Sequence, residues 1–568
     1  MPAVPKYSGL FGQAELLHLL RRCLFGVNNA DLKVLKGKSL DTVVDQLLTF
    51  STNVTPPLKA YSLKVNNVQD PTAIDTNVKF GETWVNTPIN GQTTGPDGYR
   101  KESFKAWRTG LLINQELNLR ESLTLFWHNH FSTDTNEIPS ILPYQTNQLH
   151  RTNCLANLKK ILTDISLDIT MLRYLNGYLN TAKAPDENYG REVQELFAIG
   201  KGPGSGYTED DVKAAAKVLS GWSYIFTDIA NTKLQAMPRI LPNPINTSEN
   251  TARQANHSLE VKQFSAFYNN TKFDAIAKST DVNYDVMKAE LDKLIDMFLA
   301  TDECARHIVR RFYIYFIHYV ITPETEQNFI IPLAAQYKSS NYDIKAMLKL
   351  FFTSAEFFSS CNRGAMIKSP ATFMVSLLRQ FGMQLPTGAQ LEAQYSFRST
   401  IKNYGPTMAQ DFTEAPDVAG WPAYYQTPQF HEIWVNTATY PTRKTFYENM
   451  INSGISPGAA FFEDASKNLK FVIDFVEFAK TFSNPSDPNV LINESCTLLF
   501  GSAVSQSVKD QLKKNYLLNG QSTDYYWTNA YNAYVANPNT TDPDAKKVPS
   551  ILKNLYLDMC GAAEYHLC

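Results

Sequence analysis

The 568-residue sequence predicts an all-α fold: one large multi-helix domain with long polar loops and at most minor strand. Three observations predict it. Apolar residues recur at helical spacing through most of the chain. Helix starts and stops are marked by capping residues, prolines and glycines. The strand-like pieces are short and confined to polar connections. With 43% hydrophobic and 19% charged residues the chain is globular, and 33 Phe with 29 Tyr suit an aromatic-rich core.

Taken in order, Leu16, Leu17, Leu19 and Leu20 form an apolar stripe that stops at Gly26, and Ser39 opens a second helix carrying Leu40, Val43, Val44 and Leu47. Residues 56–100 turn polar and rich in Asn, Thr, Pro and Gly, which reads as a long loop. Helices are expected at 105–114 and 120–131 and across the periodic stretch 155–178. A second polar insertion covers 225–283. Helical pattern dominates 286–380, where Thr322-Pro323 and Ser369-Pro370 each place an N-cap before a proline at the first helical position. A third loop, 386–440, ends in GWPAYYQTPQFHEIWVN. Helices at 441–452, 467–482, 488–500, 505–517 and 549–567 finish the chain. No fixed-period repeat or low-complexity tract divides it, so residues 1–568 are expected to be a single helical domain.

Residues 185–222 organise the rest. Val193, Leu196, Phe197 and Ile199 give the first helix of this stretch one broad apolar face. Glu192 and Glu195, three apart, project from neighbouring points on one side, while Arg191 lies about 100° round from Glu192. Gly200, Gly202, Gly204 and Gly206 break the helix. Thr208 with Asp211 then has capping-box spacing and starts the next helix. The glycine-rich turn lacks GxxxxGK[ST] and follows no strand, so it is not a phosphate loop.

Bulk properties exclude several classes. Net charge is 53 − 55 = −2, which argues against a nucleic-acid surface. No apolar run approaches the roughly 18 residues of a membrane span. The start, MPAVPKYSGLFGQAELLHLL, lacks the basic and apolar regions of a signal peptide, which leaves a cytosolic protein or a processed form. Seven cysteines with no CxxC disfavour a structural zinc site. Cys23 and Cys304 fall in helical patterns and read as small core residues, whereas Cys560 and Cys568 are the best-placed pair for a disulfide.

HLLRRCLFG (18–26), LTLFWHNHF (123–131), LDITMLRYLNG (167–177), ENYGREVQELFAIG (187–200), YTEDDVKAAAKVLSGW (207–222), IKSPATFMVSLLR (367–379) and PDVAGWP (416–422) follow one another along the chain. In these pieces it resembles a bacterial family known as domain of unknown function 1800. The resemblance implies a single, mostly helical domain, frequent export to the periplasm or cell surface, and genes beside those of a phosphatase-like companion family. It implies no activity. The chain departs from the family in lacking an export signal and in carrying Cys23-Leu24 where small residues are usual.

The polar constellation is His128, Asn129 and His130 on one segment with Arg191, Glu192 and Glu195 on another. Two imidazoles and a carboxylate suit one divalent metal ion, zinc, manganese or iron, with a position left open for water. In that arrangement His128, His130 and Glu192 hold the metal, Glu195 is general base and Arg191 stabilises developing negative charge. Residues two apart lie about 200° round a helix, so this requires the helix to fray at His128. In the alternative, the histidines pack in an aromatic core between Phe126, Trp127 and Phe131, and Arg191 with the glutamates forms a buried ion-pair network. His257 and His431 lie in loops, where either could complete a site. Residues 421–425 (WPAYY) could stack on a sugar or peptide, or fold a loop back onto the helices. The chain is thus a globular protein with a candidate metal-dependent active site between helices, or else a non-catalytic scaffold or interaction protein with a protein partner in an envelope assembly.

Overall fold

In the computed structural model the chain is 57% helical. It is described except for residues 1–2, 52–53, 67, 88, 90–94, 136–137, 227–237, 242–255, 384–390 and 459–469. Strand among the described residues is limited to three two-stranded antiparallel ribbons, Leu63–Val65 with Val68–Asp70, Ser223–Phe226 with Pro238–Leu241, and Lys262–Gln263 with Lys272–Phe273.

The fold class therefore stands, and several boundaries move. The first fifty residues hold three helices, Gln13–Cys23, Asn29–Leu35 and Leu40–Leu47, where two were expected. The extra one is a short amphipathic turn begun by an Asn28–Asp31 capping box. The loop expected at 56–100 ends early, because Pro96 takes the first turn of an 18-residue helix, Pro96–Ile113. The loop expected at 386–440 contains the helix Leu391–Thr407, whose Ser, Thr, Gln and Asn hide its periodicity until Tyr395, Phe397 and Ile401 are buried by packing on Pro96–Ile113. Two helices, Ile141–Asn153 and Tyr525–Ala536, were not foreseen; each mixes polar residues, with Pro143 in the first. Part of the 225–283 insertion and the start of the 467–482 helix lie outside the described residues, and helix is found at Phe475–Lys480.

One apolar core cluster runs from Leu16 to Tyr565 and draws on helices from the whole chain. At its centre Phe312 stacks on Phe126 with ring centroids 4.1 Å apart. A smaller cluster of Tyr61, Trp84, Phe104, Trp107 and Tyr395 lies under the segment before Pro96. That polar segment is held by a buried pair: Arg100 Nε and Nη2 donate to the two Asp75 oxygens at 2.7 and 2.6 Å, and the Tyr61 hydroxyl donates to Asp75 at 2.7 Å. Lys59 Nζ meanwhile donates to the carbonyls of Ile74, Asp75 and Val78. A buried charge this fully bonded is tolerated where a lone one would not be. Cys560 and Cys568, expected to pair, are free thiols, as are the other five cysteines.

The predicted caps hold. Ser39 accepts from Thr42 N, Thr322 from Thr325 N and Ser369 from Thr372 N. Thr208 N donates to Asp211 at 2.7 Å while Asp211 N donates to the Thr208 hydroxyl at 3.3 Å. Asp211 also accepts from Ser265 N at 2.7 Å and from the Ser265 hydroxyl at 2.8 Å, so one carboxylate joins a helix start to a segment 54 residues away. Replacing buried Asp211 by Ala should therefore cost about 2–4 kcal/mol in urea unfolding, the cap plus the stranded Ser265 donors. Asp210→Ala, one residue earlier in an exposed pair with Lys213, should cost under about 0.5 kcal/mol.

Candidate functional site

The helix Arg120–His130 runs unbroken through its last turn, so the fraying that a shared His128–His130 site requires is absent. Three consecutive polar residues there meet His150, Trp421 and Phe197. His128 lies beside His150, ring centroids 6.4 Å apart, and beside Trp421 at 5.7 Å. The Asn129 side-chain oxygen accepts from Trp421 N at 2.8 Å. His130 Nε2 meets the Phe197 carbonyl at 3.0 Å. The FWHNHF segment and the 189–199 helix are thus spatial neighbours, as expected, and Phe131 adds a ring contact to Phe197 at 5.3 Å.

The second helix explains what His130 does. Glu187–Glu192 continues as a π-helical turn, Val193–Ala198, whose last carbonyls have no partner further along the helix. His130 bonds the Phe197 carbonyl, and His307, from the neighbouring Asp302–Phe316 helix, bonds Leu196 at 2.8 Å. Each imidazole must donate from Nε2 to do so. Burial holds His128 and His130 well below the usual histidine range and takes His150 and His307 down to about 3, with nearby arginines adding to it, so all four are neutral at pH 7. His307 was not singled out from the sequence, because it lies off the apolar face of its helix and carries no motif.

Arg191, Glu192 and Glu195 stay on the opposite, solvent side. Arg191 donates to Glu209 at 2.7 Å and to Glu187 at 3.3 Å, with its side chain about one-third exposed and that of Glu209 67% exposed. Glu195 pairs with Lys201. The ion-pair network is therefore at the surface and contains neither histidine. His128, His130 and Glu192 do not converge, and among the described residues no three His, Cys, Asp or Glu side chains are arranged to hold a metal ion.

Glu192 instead joins acids from elsewhere in the chain. The Tyr174 hydroxyl is pushed up to about 12, first by burial and then by the charges of Asp417, Asp134, Glu414 and Glu192, which all lie within its electrostatic reach. Tyr207 rises to about 12 by burial and by Glu195, with Glu192 and Glu209 behind it. The Glu192 carboxyl is itself raised, by burial and then by Glu195. Glu414 goes furthest: burial is the largest cause lifting its carboxyl to about 7, and a hydrogen bond with Asp134 raises it too. It accepts from Thr135 N at 2.6 Å and from the Thr135 hydroxyl, and Lys105 stands 3.9 Å away. Asp134 and Glu414 were not singled out from the sequence as candidates, since neither carries a motif.

The remaining candidates are structural. His257 is buried, with Nδ1 against the Ser220 carbonyl at 2.7 Å and Nε2 against Glu290 at 3.1 Å. His431 is buried and accepts from Ile367 N at 3.1 Å. The WPAYY segment folds back onto the helices. Gly420, at φ +92°, brings the chain so near Asn129 that a Cβ would lie 2.4 Å from its carbonyl oxygen.

Helices holding buried neutral histidines, with acidic side chains gathered about Tyr174, define a large helical protein. The chain belongs to the family described as protein of unknown function (DUF1800), which matches residues 18–541. No curated protein and no solved structure matches it.

Gly200, at φ +86°, ends the π-helical turn where a Cβ would sit 2.4 Å from His307 Nδ1. Gly200→Ala should cost about 2–4 kcal/mol, from strained backbone and a displaced carbonyl cap. Gly202→Ala, whose nearest contact is at 3.3 Å, should cost less than about 1 kcal/mol by the same chemical denaturation. In the surface pair, an Arg191→Ala/Glu209→Ala double-mutant cycle should yield a coupling of about 1 kcal/mol or less, where a buried network would give several times more.

Proposed function

We propose that this chain is an enzyme of the general acid–base type, with Glu414 and Glu192 as the proton-transfer groups beside Asp134, Asp417 and Tyr174. The observation that carries this reading is the Glu414 carboxyl, lifted to about 7 and hydrogen-bonded with Asp134. A carboxyl poised near neutral pH is half-protonated there, so it can give a proton to a leaving group or take one from water. The roles first assigned to Glu195 and Arg191 pass to positioning: Lys201 and Glu209 engage them, and Glu195 helps keep the Glu192 carboxyl raised. A cluster of acids repels anions, so the substrate class this face favours is neutral or cationic.

Among the described residues no three His, Cys, Asp or Glu side chains are grouped to hold a metal ion, so a divalent metal on His128, His130 and Glu192 draws no support from the arrangement. The proposed chemistry needs only the carboxyls. A second reading, a non-catalytic interaction or scaffold protein, is favoured by one specific observation: His130, Arg191 and Glu195 all have ordinary structural partners.

The two readings part on a panel of neutral chromogenic esters, amides and glycosides, assayed with wild type, Glu414→Gln and Glu192→Gln. Turnover by wild type that falls about 10²–10⁴-fold in Glu414→Gln supports the enzyme. Equal, background rates in all three folded proteins on every substrate would leave the scaffold. Stability provides an independent check of the carboxyl itself. A raised acid binds its proton more tightly folded than unfolded, so its contribution is unpenalised below about 4.5 and becomes increasingly unfavourable as pH climbs toward 7. Relative to Glu414→Gln, wild type should lose about 3 kcal/mol of unfolding free energy between pH 4.5 and 7.5. A difference that stays flat over that range would mean the carboxyl is not raised.

A further inference from the structure

A cavity of about 50 Å³ is lined by Arg21, Arg22, Thr372, Ser369, Tyr424 and Trp434. By the measure in which one water needs roughly 10–15 Å³, this holds a few waters or one tetrahedral oxyanion. Its donors are in surplus. Arg22 is 8% exposed and spends Nη2 on the Asn362 carbonyl at 2.6 Å, leaving Nε and Nη1 without a partner. Trp434, 1% exposed, leaves its indole N–H unpartnered. Buried polar donors in native proteins are almost always satisfied, so several around one cavity call for an acceptor.

Charge points the same way. Lys368 Nζ and Arg443 Nη1 are also buried without a hydrogen-bond partner, although Lys368 lies 4.0 Å over the Tyr565 ring and Arg443 4.9 Å over Phe373, and Arg443 donates to the Trp434 and Lys368 carbonyls. Among the described residues no Asp or Glu pairs with Arg21, Arg22, Lys368 or Arg443, and Cys568, which also lines the cavity, is the one residue that eases all four. Burial drags Lys368 down to about 7 and Arg443 to about 9, the sign of cations short of counter-charge. The cavity also receives the N-terminus of the eleven-residue helix Pro370–Gln380 through Ser369 and Thr372, which adds the positive end of a helix dipole.

We propose that this cavity is a binding site for a phosphate- or sulfate-like oxyanion, held by Arg22 Nε and Nη1, the Trp434 indole N–H and the Thr372 hydroxyl, with Arg21 at its side. The oxyanion is either free or part of an organic phosphate ester; both present the same acceptor oxygens. Its chemistry is opposite to that of the acidic face, so the two sites stand or fall separately.

The test is calorimetric titration and thermal melting of the full chain with inorganic phosphate, sulfate or phenyl phosphate, against chloride at matched ionic strength. Saturable binding of a tetrahedral anion that raises the melting temperature is expected, and tighter binding of phenyl phosphate than of the inorganic ions would identify the ester as the natural source. Arg22→Met should weaken binding at least tenfold, while raising the melting temperature of the anion-free protein by removing an unpaired buried charge. Trp434→Phe, a milder change, should weaken binding several-fold if Arg22→Met does not fold. Phosphate and sulfate acting no differently from chloride would overturn the proposal, as would wild-type affinity in both variants.

Discussion

The last turn of the Arg120–His130 helix is the junction on which the rest depends. His128, Asn129 and His130 follow one another at about 100° intervals, so three adjacent polar side chains tie the helix to the 420–421 turn, to His150 and to the 187–198 helix. Asn129 holds the 420–421 turn, His130 closes the end of the 187–198 helix, and His128 packs on Trp421 and His150. All three are at most 4% exposed. Burying a polar group is costly unless it is bonded, so the hydrogen bonds of Asn129 and His130 make those two contacts directional, whereas His128 makes ring contacts and its Nε2 has no hydrogen-bond partner. Phe126, Trp127 and Phe131 fill the space between, and Phe312 stacks from the opposite side.

A formal charge of −2 conceals a strong separation of sign. Carboxyls from 134, 192, 195, 414 and 417 gather on one face, close enough to raise one another or the tyrosines among them. Cations from 21, 22, 368 and 443 gather in the interior around a cavity. Both arrangements destabilise the empty fold, because like charges repel and buried charges are poorly solvated.

The histidines show how local pattern and tertiary setting divide the work. Two imidazoles near two glutamates suggest a metal, since those are the right donor atoms. What the side chains do is set by their surroundings: an intact helix buries His128 and His130, while Glu195 pairs with Lys201 and Glu192 is partly buried beside Glu195. The interior histidine network is completed by His307, whose role depends on a carbonyl left free by a π-helical turn 110 residues away.

The sequence by itself determined the helical class, the family, the caps at Ser39, Thr208, Thr322 and Ser369, and the absence of a helix able to span a membrane among the described residues. These rest on interactions between residues three or four apart, which a linear reading contains in full. Helices such as Leu391–Thr407 escaped it because their apolar face is sparse and forms only when Pro96–Ile113 covers it. Tertiary structure alone decided that Glu414 meets Asp134 and Thr135, that Arg22 borders a cavity with Trp434, and that the predicted metal ligands face apart. Each joins residues tens to hundreds of positions apart, and a carboxyl's acidity or an arginine's missing partner is a property of what surrounds it.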